Sequence, residues 1–494
     1  MRTAFCIFFL TLASLCLTAC NGEGEVPADQ EFDLVLEGGR VMDPETGLDA
    51  VRNVGISDGR IAAISEEALQ GDERIDASGL VVAPGFIDLH AHGQDAVSNR
   101  LQAMDGVTTA LEMEAGVYPV GKWLASREGK AAIHYGATAG HWPARVKLVD
   151  GLEVGHFPTL PEAETTRMDE GNYAYEELSP DQIEELTSLL EQGLNEGGLG
   201  LGFGITYTPG ASRLEIYRLF QMAARRGVAT YVHLRGENSG GTLGAFQEAI
   251  ALAASTGAST HIVHMNSSAG EWAEVTLGMI RGAQERGLDV TTESYPYTAG
   301  STRIESALFD PWEGRCDEEY QRLQWPATGE RLTRETFEKY RKQGGWVIIH
   351  GRSEETNEWI VAQPDVMAAS DGIPYLNGPA HPRGAGTFAR ILGHYVREQG
   401  ALTLMDALGK MTLLPARRVE GAAPVMKRKG RVQEGADADL TLFDPETVID
   451  RSTYEDGDLP SGGIVHVLVG GTFVVRDSEF IEGVFPGQAI RGGE

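Results

Sequence analysis

Residues able to bind a cation or move a proton recur at one kind of place in this sequence, the ends of apolar runs. Asp88-Leu89-His90-Ala91-His92 closes a run from Val82 to His92, and Glu112-Met113-Glu114 closes one from Val107. His233, His264 and Asp371 stand in or just after three further runs. Residues two apart on a strand point the same way, so His90 shares a direction with His92, and Glu112 with Glu114. An unpartnered polar group beside such apolar sequence would be costly. Four histidines and a carboxylate converging on one point suit a borderline cation such as zinc, held by imidazole nitrogen and carboxylate oxygen. That cation would bring the pKa of a bound water to about 7 and polarise a carbonyl. Asp371 would then act as general base, taking a proton from the water and returning it to a leaving amine. A lone strand-end histidine is usually structural, and the chain has 12 histidines. His261, His394 and His466 are assigned to structural bonds. His-x-His alone says little; together with two more strand-end histidines and a late strand-end aspartate it points to a metal hydrolase.

Such side chains need a scaffold that gathers strand ends. Apolar runs read as buried strands at Val82–His92, Val107–Glu114, Ala131–Ala139, Gly198–Ile205, Ala229–Leu234, His261–Met265, Val290–Tyr295 and Val366–Asp371. Helical patterns lie between most of them. Ser179-Pro180-Asp181-Gln182 is a capping box with proline at the first helical position, and Ile183, Leu186 and Leu190 follow on one face. Ser212 to Glu215 is a second box, and its helix stops at Gly227. Strands alternating with helices over residues 83–420 predict a (β/α)₈ barrel, whose sites form at the C-terminal strand ends. A doubly wound open sheet is the structural alternative, but no glycine-rich dinucleotide fingerprint follows the first strand. The stretch from about 303 to 351 is too long for an ordinary loop. It carries its own apolar run, Trp346 to Ile349, and is expected to be an insertion over the barrel mouth, a lid. Short alternating runs with turn signals fill 32–82 and return over 421–494, which predicts one small β-sandwich domain built from both chain ends.

The 494 residues, 42% hydrophobic and 23% charged, belong to a folded protein rather than a disordered or fibrous one. A formal net charge of −31 opposes binding to phosphate backbones, so no nucleic-acid partner is expected. Arg2, the apolar stretch Ala4–Leu17 and Leu17-Thr18-Ala19-Cys20 form an export signal over residues 1–19. The stretch is short of the ~20 residues that span a bilayer. Leu-x-Ala-Cys resembles the bacterial lipoprotein signal, which implies a lipid on Cys20 that holds the mature chain on a membrane. Asn21 in place of aspartate then favours the periplasmic face of the outer membrane. Residues 20–31 are a polar tether. Cys316 remains as the one unmodified cysteine, so the mature chain can form no internal disulfide.

Several segments carry a further resemblance. GFIDLHAH at the first strand and GADADLTLFD near the end resemble the amidohydrolase superfamily. DGVTTALE, GLGLGFGITYTPG, YVHLRGE, SYPYTAGST, ASDG and above all HPRGAGTFARILGHYVRE are similar to the N-acyl-D-amino-acid deacylases, or D-aminoacylases, from about Phe32 to the last strands. The resemblance implies hydrolysis of N-acyl-D-amino acids, with one or two zinc ions or another divalent metal per chain. It places His90 and His92 at the more exposed metal position, His233 and His264 at the tighter one, and Asp371 as acid/base. Arg383 fits the clamp on the substrate α-carboxylate, a role suited to guanidinium. Tyr207 and Ser301 fit further substrate contacts. The family usually has cysteine at the end of strand two; here Glu114 is the nearest ligand-type residue and Glu112 the reserve, which makes the site harder. Asn266 stands where the family often has lysine, and Arg235 beside His233 is a candidate second cation for an acidic substrate side chain. No lysine ends strand four, which argues against a carboxylated-lysine bridge. Alternative readings are a dipeptidase or cyclic-amide hydrolase of the same superfamily, and a binding lipoprotein without catalysis.

Overall fold

The computed structural model describes residues 31–154, 171–236, 241–375 and 380–493. The expected signal at 1–19, Cys20 and nearly all of the tether lie outside the described residues. Eight strands form one parallel sheet in chain order: β1 Phe86–Asp88, β2 Val107–Val117, β3 His134–Gly140, β4 Gly200–Gly204, β5 Ala229–His233, β6 Thr260–Ile262, β7 Val290–Ser294 and β8 Val366–Ala368. The segments just after β1 and β8 close it into a barrel. Ala91 bridges Gly372 in the parallel sense, and the Gly93 N–H donates to the Gly372 carbonyl at 2.9 Å. The buried Asp88 carboxylate reinforces this seam by accepting from the Ser370 N–H at 3.0 Å and from the Ser370 hydroxyl.

The strands read as apolar runs because both of their faces are covered; every residue of β2 is buried. The helix Pro180–Asn195 begins with the expected capping box between Ser179 and Gln182, and its Ile183, Leu186 and Leu190 are buried against the barrel. The helix Arg213–Arg226 is capped by Ser212 and ends at Gly227, whose φ of 65° suits glycine. Several expected strands differ at their ends, His261–Met265 being Thr260–Ile262 with a helix from Met265, and one is divided between two sheets. The run Val82–His92 is broken at Gly85, with Val81–Pro84 in a different sheet and Phe86–Asp88 in the barrel. A Cβ on Gly85 would lie 2.2 Å from Thr108 Oγ1, so glycine is what lets the chain pass between the two layers.

That other sheet is a nine-stranded mixed sheet drawn from both chain ends. Glu31–Asp43 pairs antiparallel with Leu48–Ser57, and Val81–Pro84 pairs antiparallel with Leu440–Phe443. Leu34, Val54, Ile61, Leu440 and Leu468 share its core, as a small sandwich requires. The last residues leave it: the Ile490 N–H donates to Tyr135 O at 2.7 Å and the Gly492 N–H to Gly197 O at 2.9 Å, so the tail lies along the barrel.

The segment between β7 and β8 is a folded unit. Gly300–Arg303, Leu323–Gln324 and Trp346–Ile349 make a three-stranded antiparallel sheet around Ile304, Phe309, Tyr320, Phe337 and Val347. Trp325 stacks on Tyr340 at 4.0 Å between ring centres. The unit begins at Gly300, three residues before the expected start, because its first strand pairs with its last.

The GADADL segment has a structural task. Asp439 is buried and accepts from Lys429 Nζ at 2.6 Å, the Gly470 N–H at 2.7 Å and His134 Nε2 at 3.1 Å, tying the mixed sheet to β3. Burial would raise its pKa, but Lys429 and His134 hold it well below the usual carboxylate range. Asp439→Ala should leave the buried Lys429 ammonium under-paired and lower stability by about 3 kcal/mol, read as a fall in the denaturant midpoint. An unchanged midpoint would show that this buried network is not what joins the two layers.

Candidate active site

Glu114, buried near the C-terminal end of β2, stands between two pairs of histidines. Its Oε2 lies 2.8 Å from His90 Nε2 and 3.1 Å from His92 Nε2. Its Oε1 lies 2.6 Å from His233 Nδ1 and 3.9 Å from His264 Nε2. Asp371 completes the first cluster, with Oδ1 3.5 Å from both Nε2 atoms. The groups His90, His92, Glu114, Asp371 and Glu114, His233, His264 each bring their ligand atoms within 4.8 Å of one another.

The hydrogen bonds behind these rings set which nitrogen carries the proton. His90 Nδ1 is 2.6 Å from Glu293 Oε1, and His92 Nδ1 is 2.7 Å from Glu112 Oε2. A carboxylate only accepts, so each Nδ1 is an N–H, and Nε2 is the nitrogen each ring turns toward Glu114 and Asp371 and would offer to a cation. Those two Nε2 atoms face each other at 3.1 Å, next to oxygens of Glu114 and Asp371. His264 has a hydroxyl behind it instead of a carboxylate, with Nδ1 3.2 Å from Ser268 Oγ and Nε2 2.9 Å from His233 Nδ1. Burial, and then the neighbouring His233, push the His264 pKa down to about 3, which keeps it neutral. Nitrogens and carboxylate oxygens this close together need positive charge among them, from a bound cation or from protons on the rings. The donor set, imidazole nitrogen with carboxylate oxygen and no sulfur, fits zinc or another borderline divalent ion.

Two of these residues hold uncommon backbone. His264 has φ 34° and Asp371 φ 51°, left-handed conformations that cost non-glycine residues energy and recur at functional sites. Asp371 Oδ2 pairs with Arg383 Nη1 at 2.7 Å. Burial alone would raise the Asp371 pKa, but Arg383 and the nearby imidazoles hold it well below the usual carboxylate range, so it stands ready as a proton acceptor.

The seven residues His90, His92, Glu114, His233, His264, Asp371 and Arg383 are therefore adjacent. Glu112 is a neighbour of His92, turned away from the cluster centre, and Glu114 is the strand-two residue that faces it. Tyr207 and Ser301 line the same cavity, of about 1020 Å³. Their hydroxyls are engaged with Thr302 Oγ1 at 3.0 Å and the Val347 carbonyl at 3.0 Å. Arg235 is not the open cation expected beside His233; it is forked onto Glu248 at 3.1 Å. Asn266 binds the Tyr295 carbonyl at 2.8 Å and Asn357 at 3.1 Å, joining the β6 and β7 ends. Sequence reasoning passed over Glu293, which lies between His90 and His261, with Oε2 3.0 Å from His261 Nε2. Its signal was the same as that of the ligands: a carboxylate in the apolar run that ends strand seven.

Residues 73–138 match the amidohydrolase family. Over 482 residues the chain is 32% identical to N-acyl-D-glutamate deacylase of Alcaligenes xylosoxydans xylosoxydans, covering 90% of this chain and 94% of the relative. D-aminoacylase of the same organism is 28% identical over 495 residues, 91% of this chain and 96% of that one. The structure of N-acyl-D-glutamate deacylase from Bordetella bronchiseptica, complexed with zinc and a phosphonate inhibitor mimicking the reaction tetrahedral intermediate, superposes with a TM-score of 0.78 at 28% identity, over 94% of this chain and 100% of that one. With identity and fold both extending over nine-tenths of the chain, this protein belongs to the amidohydrolase family, within its N-acyl-D-amino-acid deacylases.

Proposed function

We propose that this chain hydrolyses the amide bond of N-acyl-D-amino acids, releasing a carboxylate and a free D-amino acid, with zinc or a similar divalent ion as cofactor. The observation that carries the proposal is the shared Glu114 carboxylate between two histidine pairs, with Asp371 beside it in a cavity large enough for a small molecule. The relatives named for N-acyl-D-glutamate and D-amino-acid deacylation support the substrate class. His90, His92, Glu114 and Asp371 would hold one ion, and Glu114, His233 and His264 another. A divalent ion there supplies Lewis acidity, polarising an acyl carbonyl and acidifying water.

The chain's own groups do the rest. Asp371, kept ionised by Arg383, takes a proton from the attacking water and returns it to the amine nitrogen as the carbon–nitrogen bond breaks. Arg383 lies against that same carboxylate, so a substrate α-carboxylate meets its guanidinium one carbon away from the scissile nitrogen. Glu112 and Glu293 hold the Nδ1 edges of His92 and His90, so both Nε2 atoms stay directed at the cluster. The Leu17-Thr18-Ala19-Cys20 segment supports lipid attachment at Cys20 and a periplasm-facing, outer-membrane location for the mature chain.

Exhaustive chelation should abolish hydrolysis of N-acetyl-D-amino acids, and added zinc should restore it; full activity in metal-free protein would remove the basis of the proposal. Turnover confined to L enantiomers would contradict the substrate class. Asp371→Asn should keep the fold and metal content by elemental analysis while kcat falls by about 10²–10⁴-fold; near wild-type turnover would reduce Asp371 to a ligand or structural group. Labelled fatty acid should be incorporated by bacteria expressing the full chain and lost with Cys20→Ser; label that persists would place the lipid elsewhere.

A further inference from the structure

The cavity is rich in arginine, and most of it is already paired. Arg235 and Arg213 share Glu248, Arg315 meets Glu319 at 3.3 Å, and Arg383 holds Asp371. Arg322 is exposed and reaches the His350 carbonyl. Arg352 differs from these. It is half-buried in the cavity wall, and no carboxylate among the described residues pairs with it. It is nevertheless fixed in place: Nη1 donates to the Tyr295 hydroxyl at 2.7 Å and Nη2 to Ser267 Oγ at 2.7 Å. Space is kept for it at Gly300, where a Cβ would lie 2.5 Å from Arg352 Nη2. Holding a guanidinium rigidly without a counter-charge has a cost that an anionic ligand would relieve.

Its surroundings favour such a ligand. Tyr295 and Ser267 each accept from Arg352 through an oxygen lone pair, so each keeps its own O–H to donate. Ser267 and Arg352 both line the cavity, with the buried Tyr295 bracing the guanidinium, and a guanidinium with a hydroxyl donor beside it is a ready seat for a carboxylate. The guanidinium carbons of Arg383 and Arg352 lie 4.7 Å and 5.3 Å from the centre of the same Tyr295 ring, and both side chains line the cavity. Arg383 stands against Asp371, where the carbon carrying the α-carboxylate must lie if Asp371 is to protonate the leaving nitrogen. Arg352, on the insertion side of Tyr295, is then one side chain further out.

We infer that Arg352, braced by Tyr295 and joined by the Ser267 hydroxyl, seats a second carboxylate, and that the substrate is an N-acylated D-amino acid with an acidic side chain. This rests on the deacylase reading and names the residue that selects within it. Arg352 stands in for the second cation expected at Arg235, which Glu248 occupies.

The test compares N-acetyl-D-glutamate with N-acetyl-D-glutamine, near-isosteric and differing in the side-chain charge, in the zinc-loaded full chain. Wild type should favour the glutamate substrate, and Arg352→Met should lower its kcat/KM by at least about 10-fold while the glutamine substrate changes far less. Arg352→Lys should recover part of the loss. Equal losses on both substrates, or a wild type that prefers the glutamine substrate, would overturn the assignment. If wild type hydrolysed no N-acyl amino acid, the deacylase reading would fall, and calorimetric titration with glutarate would decide the role of Arg352 separately. Binding that Arg352→Met weakens at least about 10-fold would uphold a carboxylate seat, and binding unaffected by the change, or none, would overturn it.

Discussion

The Glu114 carboxylate is the interaction on which the rest of the structure depends. It is buried, and each oxygen faces one pair of imidazoles. A buried carboxylate with ring nitrogens crowded around both of its oxygens is unfavourable without positive charge at the centre. Everything around it serves to keep that arrangement from relaxing. Glu112 and Glu293 hold the outer nitrogens of His92 and His90, and His261 holds Glu293 from behind. Asp88 pins the Ser370 backbone, which fixes the left-handed turn at Asp371 and closes the barrel in the same place. The barrel seam and the site geometry are thus one construction.

The chain as a whole repels anions, with a net charge of −31, yet the proposed substrate is an anion. Local geometry resolves the conflict. Charges beyond about 8–10 Å are screened at physiological salt, so what an entering carboxylate meets is the cavity wall. Part of that wall is built by the insertion between β7 and β8, whose separate apolar core lets it hold Arg352 and Trp312 at fixed positions over the barrel mouth. The β-domain supports from the opposite direction, through Asp439 and the tail along β3.

Much of this was legible in the sequence. Strands buried on both faces write themselves as continuous apolar runs, which is why all eight barrel strands could be read from Phe86 to Ala368. The strand-end histidines were legible because a polar residue in such a run needs a reason to be there. What could not be read were pairings between distant segments. Arg235 looked open because Glu248 is placed beside it only by the fold, and Arg352 looked unremarkable because Tyr295, Ser267 and Gly300 come together only in three dimensions. Glu293 was overlooked for a related reason: its partners, His90 and His261, sit on other strands. The break at Gly85 was hidden because one apolar run served two sheets, and nothing local marks the crossing except Pro84 and the missing Cβ.

The most direct test of the Glu114 account is anomalous diffraction at the zinc edge from crystals of the metal-loaded protein. It predicts at least one peak at about 2.0–2.2 Å from a Glu114 oxygen, between that carboxylate and the His90/His92 or the His233/His264 pair. Zinc found only elsewhere, with the Glu114 oxygens still bonded directly to imidazole nitrogens, would contradict it.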